Sequence, residues 1–220
     1  MTEIWTSPDL PALLAADIAG EPAPRAWRRE FSPELSYGRH LGPPRPSARL
    51  AAVVLALSWD GGEWSLPLTV RSESLRRHGG QVSLPGGLVD AGESIRQAAQ
   101  RELGEELGPQ PPLEWLGDLA PIHVFASDAL VVPCVARVSG SPQWRPHPAE
   151  VDRVLQLSLR ELLLQAESEP LLVARGPLQF AAPQLVCEGL PIWGATAVLL
   201  AELRGRLRRV AAGVPAGTFA

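Results

Sequence analysis

The chain contains no lysine: all 20 basic side chains other than histidine are arginine. Coding-sequence base composition accounts for this more simply than selection for bidentate phosphate binding. Cysteine is almost as scarce. Cys134 and Cys187 lie far apart with no Cys-x-x-Cys spacing, which excludes a zinc ribbon, a redox pair and a secreted disulfide scaffold; both are expected to pack as small apolar residues. Positive charge is short as well. With 24 acids against 20 arginines the formal charge is −4, so the basic footprint of a general nucleic-acid or membrane-surface binder is missing. Long hydrophobic runs are absent too, since the longest purely apolar stretch, Leu50 to Leu57, is far too short to span a bilayer. The first 24 residues carry Glu3, Asp9 and Asp17 but only acidic charge, unlike a signal n-region or an Arg-rich transit peptide. The expectation is a soluble, cytoplasmic protein with neither a membrane nor a nucleic-acid partner.

What is present is enough apolar material for a real core. At 220 residues and 45% hydrophobic composition, the chain suits one ordinary domain with an extension, and it needs no disulfide or structural metal to fold. Eight of the 23 prolines fall in residues 1–48, which read as an N-terminal arm with helix-compatible stretches at Asp9 to Ile18 and Ala26 to Phe31. Strands are expected at Leu50 to Trp59 and Trp64 to Val70, joined by Asp60-Gly61-Gly62 as a hairpin. Further strands are expected at Leu113 to Leu119, Ile122 to Phe125, Ala129 to Val138 and Val151 to Leu157. Helices are expected from Ser94 to Leu107, near Arg160 to Gln165, and from Gly194 to Val210, with a frayed tail over 211–220.

The helix after Ser94 is odd. Ser94 with Gln97 is a capping-box pair that starts it firmly. Ile95, Ala98, Ala99, Leu103 and Leu107 form one apolar stripe, yet Glu102 and Glu106 fall inside that stripe and Glu105 flanks it. These carboxylates sit in the last two turns, where the helix dipole disfavours anions, and they repel one another at i,i+3 and i,i+4 spacing. From residue 81 to 120 seven acids face two arginines. A solvated acidic face is the bland explanation. A divalent cation is the sharper one, because it turns that repulsion into shared coordination.

The spacing completes a known motif. Gly87, five residues, Glu93, seven residues, then Arg101-Glu102-Leu103-Gly104-Glu105-Glu106-Leu107-Gly108 resembles the Nudix box, departing only at Pro109, where an aliphatic residue is usual. Seven fixed identities at about one in fifteen each coincide by chance on the order of once in 10⁸ starting positions. Upstream, Leu68-Thr69-Val70-Arg71-Ser72, Arg76, Gly80 and Leu84-Pro85-Gly86-Gly87 are similar to the extra motif of the coenzyme A pyrophosphatase branch, with Pro67 and Leu84 replacing a Leu and a Phe. Weaker similarity extends the resemblance over residues 48 to 205.

The resemblance implies an α/β fold, the Nudix α/β/α sandwich with a central mixed β-sheet, occupying 49–210. It also implies Mg²⁺- or Mn²⁺-dependent hydrolysis of the pyrophosphate of coenzyme A, acylated forms included, to 3′,5′-ADP and 4′-phosphopantetheine, by a homodimer. Glu102, Glu105 and Glu106 are expected on the metals, one of them accepting the proton of the attacking water, with the Gly86 carbonyl as a further ligand. Arg101 is expected to orient the glutamates, with Glu93 as structural support. Arg71 and Arg76 are expected to clamp substrate phosphates, which an arginine fork suits, with His78 as a ligand contact and Glu150 as an extra metal ligand or base. His40, His123 and His147 read as incidental. Two alternatives stay open: a Nudix enzyme for ADP-ribose, dinucleotides or oxidised nucleotides, and a catalytically silent binding module of the same fold.

Overall fold

The computed structural model describes residues 3–33, 44–75, 78–166, 168–175 and 178–213. Its helices are α1 (Leu10–Gly20), α2 (Arg25–Arg29), α3 (Ile95–Leu107), α4 (Leu159–Leu164) and α5 (Gly194–Ala211). The strands are β1 (Arg49–Trp59), β2 (Trp64–Arg71), β3 (Val82–Ser83), β4 (Gly86–Leu88), β5 (Glu114–Asp118), β6 (Ile122–Val124), β7 (Ala129–Arg137), β8 (Val151–Ser158), β9 (Leu171–Arg175), β10 (Leu178–Ala182), β11 (Gln184–Cys187) and β12 (Leu190–Trp193).

β1 is apolar from Ala51 to Leu57, where it is covered on both faces. It pairs in parallel with β7 from Arg49↔Ala129 to Leu57↔Arg137 and antiparallel with β4 from Ala51↔Leu88 to Val53↔Gly86. Only its last residues form the expected hairpin with β2, at Ser58↔Ser65 and Trp59↔Trp64. β2 then turns to β8 and β3, while β5 and β6 both pair with β7. The sheet is therefore mixed, as a parallel β1–β7 pair among antiparallel neighbours requires.

Alternation along β1 divides the core, since successive side chains point to opposite faces. Ala52, Val54 and Ala56 meet Ala98, Ala99, Leu103 and Leu107 of α3. Ala51, Leu55 and Leu57 belong to the larger cluster with Leu10 and Leu14 of α1 and Leu199, Leu203 and Leu207 of α5. On the α3 side Ala52 and Ala56 of β1 face Ala98 and Ala99 of the helix. Small residues let the helix lie close to the sheet, and so bring its inward carboxylates close to β4.

The segment read as an arm is not separate from the domain. Leu10, Leu14 and Phe31 are buried in the larger core, and a buried ionic cluster holds α1 and α2 to α5. Arg206 donates to Asp17 at 2.9 Å and to Glu202 at 3.1 Å, Arg28 to Glu202 at 2.6 Å, and Arg209 to Asp17 at 2.7 Å. Residues 34–43 and the tail from 214 lie outside the described residues. Both cysteines are buried as expected, and burial pushes each thiol up to about 12. No helix among the described residues is long and apolar enough to cross a membrane.

Candidate active site

α3 begins where the capping box places it: Ser94 Oγ accepts from the Gln97 amide at 3.3 Å, and Gln97 Oε1 accepts from the Ser94 amide at 2.9 Å. It ends at Leu107, where Gly108 takes a φ of 85° that a side chain would resist. Two carbonyls of the last turn are satisfied from outside, by the amides of Arg145 (to Leu107, 2.8 Å) and His147 (to Glu106, 2.9 Å). That segment brings Glu150 to the end of the helix. The Ser72 amide bonds the Glu150 carbonyl at 2.8 Å, tying it to the end of β2.

Arg101 uses its whole guanidinium fork. It grips Glu93 twice at 3.0 Å, Glu102 Oε1 at 2.9 Å, Glu105 Oε2 at 3.0 Å and the Leu88 carbonyl at 2.9 Å. These are charge-assisted bonds. The Glu93 carboxyl is held below its ordinary range, first by Arg101 and then by the Asp90 amide, so Glu93 acts as the anchor that aims Arg101 at the other two.

The three helix carboxylates then differ by exposure. Glu105 is half exposed, Glu102 is largely buried, and Glu106 is 1% exposed. Burial raises Glu102 against the opposing pull of Arg101. Burial likewise pushes Glu106 up to about 8, with Glu102 and Glu150 adding repulsion and Arg71 opposing it. Arg71 Nη1 stands 3.6 Å from Glu106 Oε1. The other oxygen, Oε2, is buried without a hydrogen-bond partner among the described residues, an arrangement that costs free energy unless a cation or proton arrives.

Backbone shape is part of the site. A Cβ on Gly87 would come within 2.6 Å of both Glu102 carboxylate oxygens, and one on Gly86 would strike the Ala52 carbonyl. The two glycines therefore let β4 pass directly beneath the carboxylates. An orphaned buried oxygen, a carboxylate laid on bare backbone, and hard oxygen donors together fit a divalent cation. Among the described residues, however, no three acidic, histidine or cysteine side chains are already gathered as a ligand set, because Glu102 and Glu105 are turned to Arg101.

Beside the carboxylates opens a cavity of about 660 Å³ reached by Arg71, His78 and Gly86. His78 Nδ1 is 2.9 Å from Gln81 Oε1. Arg76 lies outside the described residues. His147 contributes its backbone amide to the helix end, and His40 is not among the described residues. His123 is 4% exposed, lines the cavity and pairs with Asp128 at 2.9 Å. Only its place opposite Leu130 in the β6–β7 pair brings it there, and no spacing in the sequence signals that.

A NUDIX domain model matches residues 47–174, more than half the chain, and the chain belongs to that family. It is 35% identical over 141 residues to a protein of Photorhabdus laumondii described as an uncharacterized Nudix hydrolase, NudL, covering 63% of this chain and 75% of that one. The NudL of Salmonella paratyphi B is likewise 35% identical, over 63% of this chain and 72% of its own. Among solved structures, a MutT/nudix family protein from Enterococcus faecalis superimposes with a TM-score of 0.52 at 15% identity, over 83% of this chain and 70% of that one. The RenU Nudix hydrolase of M. smegmatis does so at 0.50 and 19% identity, over 84% and 95%. The protein is thus a Nudix hydrolase, an enzyme for pyrophosphate-containing substrates.

Proposed function

We propose that this hydrolase cleaves the pyrophosphate of coenzyme A and its acylated forms, releasing 3′,5′-ADP and 4′-phosphopantetheine, with Mg²⁺ or Mn²⁺ as cofactor. Glu102, Glu105, Glu106 and the Gly86 carbonyl are the groups that would hold the metal, with Glu150 in electrostatic reach. A bound divalent ion neutralises the diphosphate and lowers the pKa of water at the site. The protein's own part is positional. Arg101 keeps Glu102 and Glu105 oriented, and one of the three helix glutamates accepts the proton of the attacking water. Arg71, on the rim between Glu106 and the cavity, pairs with the substrate's phosphates.

The observation that carries this reading is Arg71, at the coenzyme A branch's spacing before the box and 3.6 Å from Glu106. A panel of coenzyme A, dephospho-coenzyme A, ADP-ribose, dinucleotides and oxidised nucleotides, with Mg²⁺ and Mn²⁺ and products identified by mass, tests it. Coenzyme A is expected to lead, with dephospho-coenzyme A at least about tenfold lower in kcat/KM, about 1.4 kcal/mol of transition-state binding. ADP-ribose or an oxidised nucleotide ahead of coenzyme A overturns the substrate while leaving the hydrolase standing. The homodimer belongs to the same proposal, and sedimentation of the purified protein decides it.

A further inference from the structure

The 660 Å³ cavity beside the carboxylates is walled largely by hydrocarbon, and much of that wall comes from elements past residue 174, beyond the part matched by the family model. Phe180 of β10 and Trp193 at the end of β12 meet edge to face, their ring centroids 6.4 Å apart. Val198 and Leu199 of α5 and Val124 of β6 add aliphatic surface.

His78, Gln81, Ser83 and His123 on this wall already have hydrogen-bond partners. His78 is bonded to Gln81, Ser83 Oγ lies 2.9 Å from Thr69 Oγ1, and His123 Nε2 lies 2.9 Å from Asp128 Oδ1. A polyhydroxylated group buried here would leave hydroxyls without partners, and each costs free energy. An aliphatic arm with few polar atoms incurs no such penalty.

One polar feature is set in advance. Asp128 sits in a left-handed turn with φ 47° and also accepts from Ser47 Oγ at 3.1 Å, so its carboxylate is held for His123. Assigned from that partner, Nε2 donates to Asp128 and Nδ1 is the ring nitrogen left on the other side. Nδ1 has no hydrogen-bond partner among the described residues. The buried ring is therefore held in one orientation in the cavity wall, with Nδ1 as its ring nitrogen not bonded to Asp128.

We infer that this cavity receives the non-nucleotide arm of the substrate, a branched aliphatic chain bearing hydroxyl or amide donors, with His123 Nδ1 accepting one of those hydrogen bonds and Phe180 and Trp193 packing on its hydrocarbon. The inference rests on the coenzyme A reading for the identity of that arm, the pantetheine half, and assigns specificity to residues outside the Nudix box.

Calorimetric titration of the full chain with each half of the substrate tests this without turnover. The probes are 4′-phosphopantetheine, 3′,5′-ADP and ribose 5-phosphate. 4′-Phosphopantetheine is expected to bind at least about tenfold more tightly than ribose 5-phosphate, since each buried methylene contributes about fourfold. His123→Ala and Phe180→Ala are each expected to weaken 4′-phosphopantetheine by about fivefold or more, the scale of one lost hydrogen bond or ring contact, while 3′,5′-ADP binding stays within about twofold. His123 also closes the β6–β7 turn, so Phe180→Ala carries the test if the first variant does not fold. Loss of 3′,5′-ADP binding instead, unchanged binding of both halves in Phe180→Ala, or no binding of 4′-phosphopantetheine to the natural protein overturns the inference. Coenzyme A left uncleaved while both variants still weaken 4′-phosphopantetheine retains the subsite and overturns only the substrate reading.

Discussion

At Glu106 the chain buries a carboxylate in the last turn of a helix, beside Glu102 and within reach of Glu150, and leaves one of its oxygens without a partner among the described residues. Because its folded pKa, about 8, lies above the ordinary 4.5, the folded metal-free protein binds a proton that the unfolded chain releases. Stability of the metal-free protein should therefore be highest below pH 4.5 as far as this group is concerned, and fall as pH rises from 4.5 to about 8. Thermal melts in chelator across that window check the sign, and Glu106→Gln should flatten the dependence. The same variant is expected to lower kcat by at least about 10²-fold with metal present, because a charged ligand is lost. Near-natural turnover would remove Glu106 from the metal site. Gly87→Ala belongs to the same scale: its methyl would occupy the place of the Glu102 carboxylate, so activity should drop at least about tenfold with a smaller change in Tm.

Helix α3 is held at both ends by devices of different kinds. The capping box at Ser94 is local, and Ser94→Ala should cost about 1 kcal/mol in urea unfolding while leaving kcat largely intact. The other end is closed by the amides of Arg145 and His147, which come from a distant loop. Pro109 lies past this closure, after Gly108 has already turned the chain, and proline is common there. Pro109→Leu is accordingly expected to change kcat/KM by less than about twofold; a large gain would mean that the natural box is impaired.

Over the whole molecule, the N-terminal helices and α5 form one ionic core in which Asp17 faces Arg206 and Arg209 while Glu202 faces Arg206 and Arg28. All five side chains are buried. Removing one partner leaves charges in low dielectric, which typically costs about 3–5 kcal/mol. Asp17→Ala should lower the urea midpoint accordingly. Its turnover per folded molecule at low temperature should remain, because the cluster lies on α1, α2 and α5 rather than beside α3. A variant as stable as the natural chain would show that α1 is held by Leu10 and Leu14 alone.

The legible parts of this protein were those in which neighbouring residues decide the outcome. Ser94 and Gln97 start α3 through bonds three residues apart, and the period of its apolar stripe turns Glu106 inward and Glu105 outward. The Nudix spacing likewise specifies which acids share a helix with Arg101. Strands β3 and β4 are too short to carry a period, and β9 to β12 carry no alternation that separates them from loop; none of these was expected. The N-terminal segment looked like an arm because its prolines are a local signal, whereas its attachment depends on Asp17 meeting Arg206 across nearly the whole chain. His123 shows the same limit most clearly. Its type and spacing say nothing, and only the pairing of β6 with β7, the left-handed turn at Asp128 and the arrival of β10, β12 and α5 place it, bonded to Asp128, in the wall of a cavity. Sequence by itself determined the chemistry carried on one helix, because hydrogen bonds and periodicity act over a few residues. Tertiary structure alone decided what stands opposite that helix, because burial and partnership arise between segments that meet only when the chain is folded.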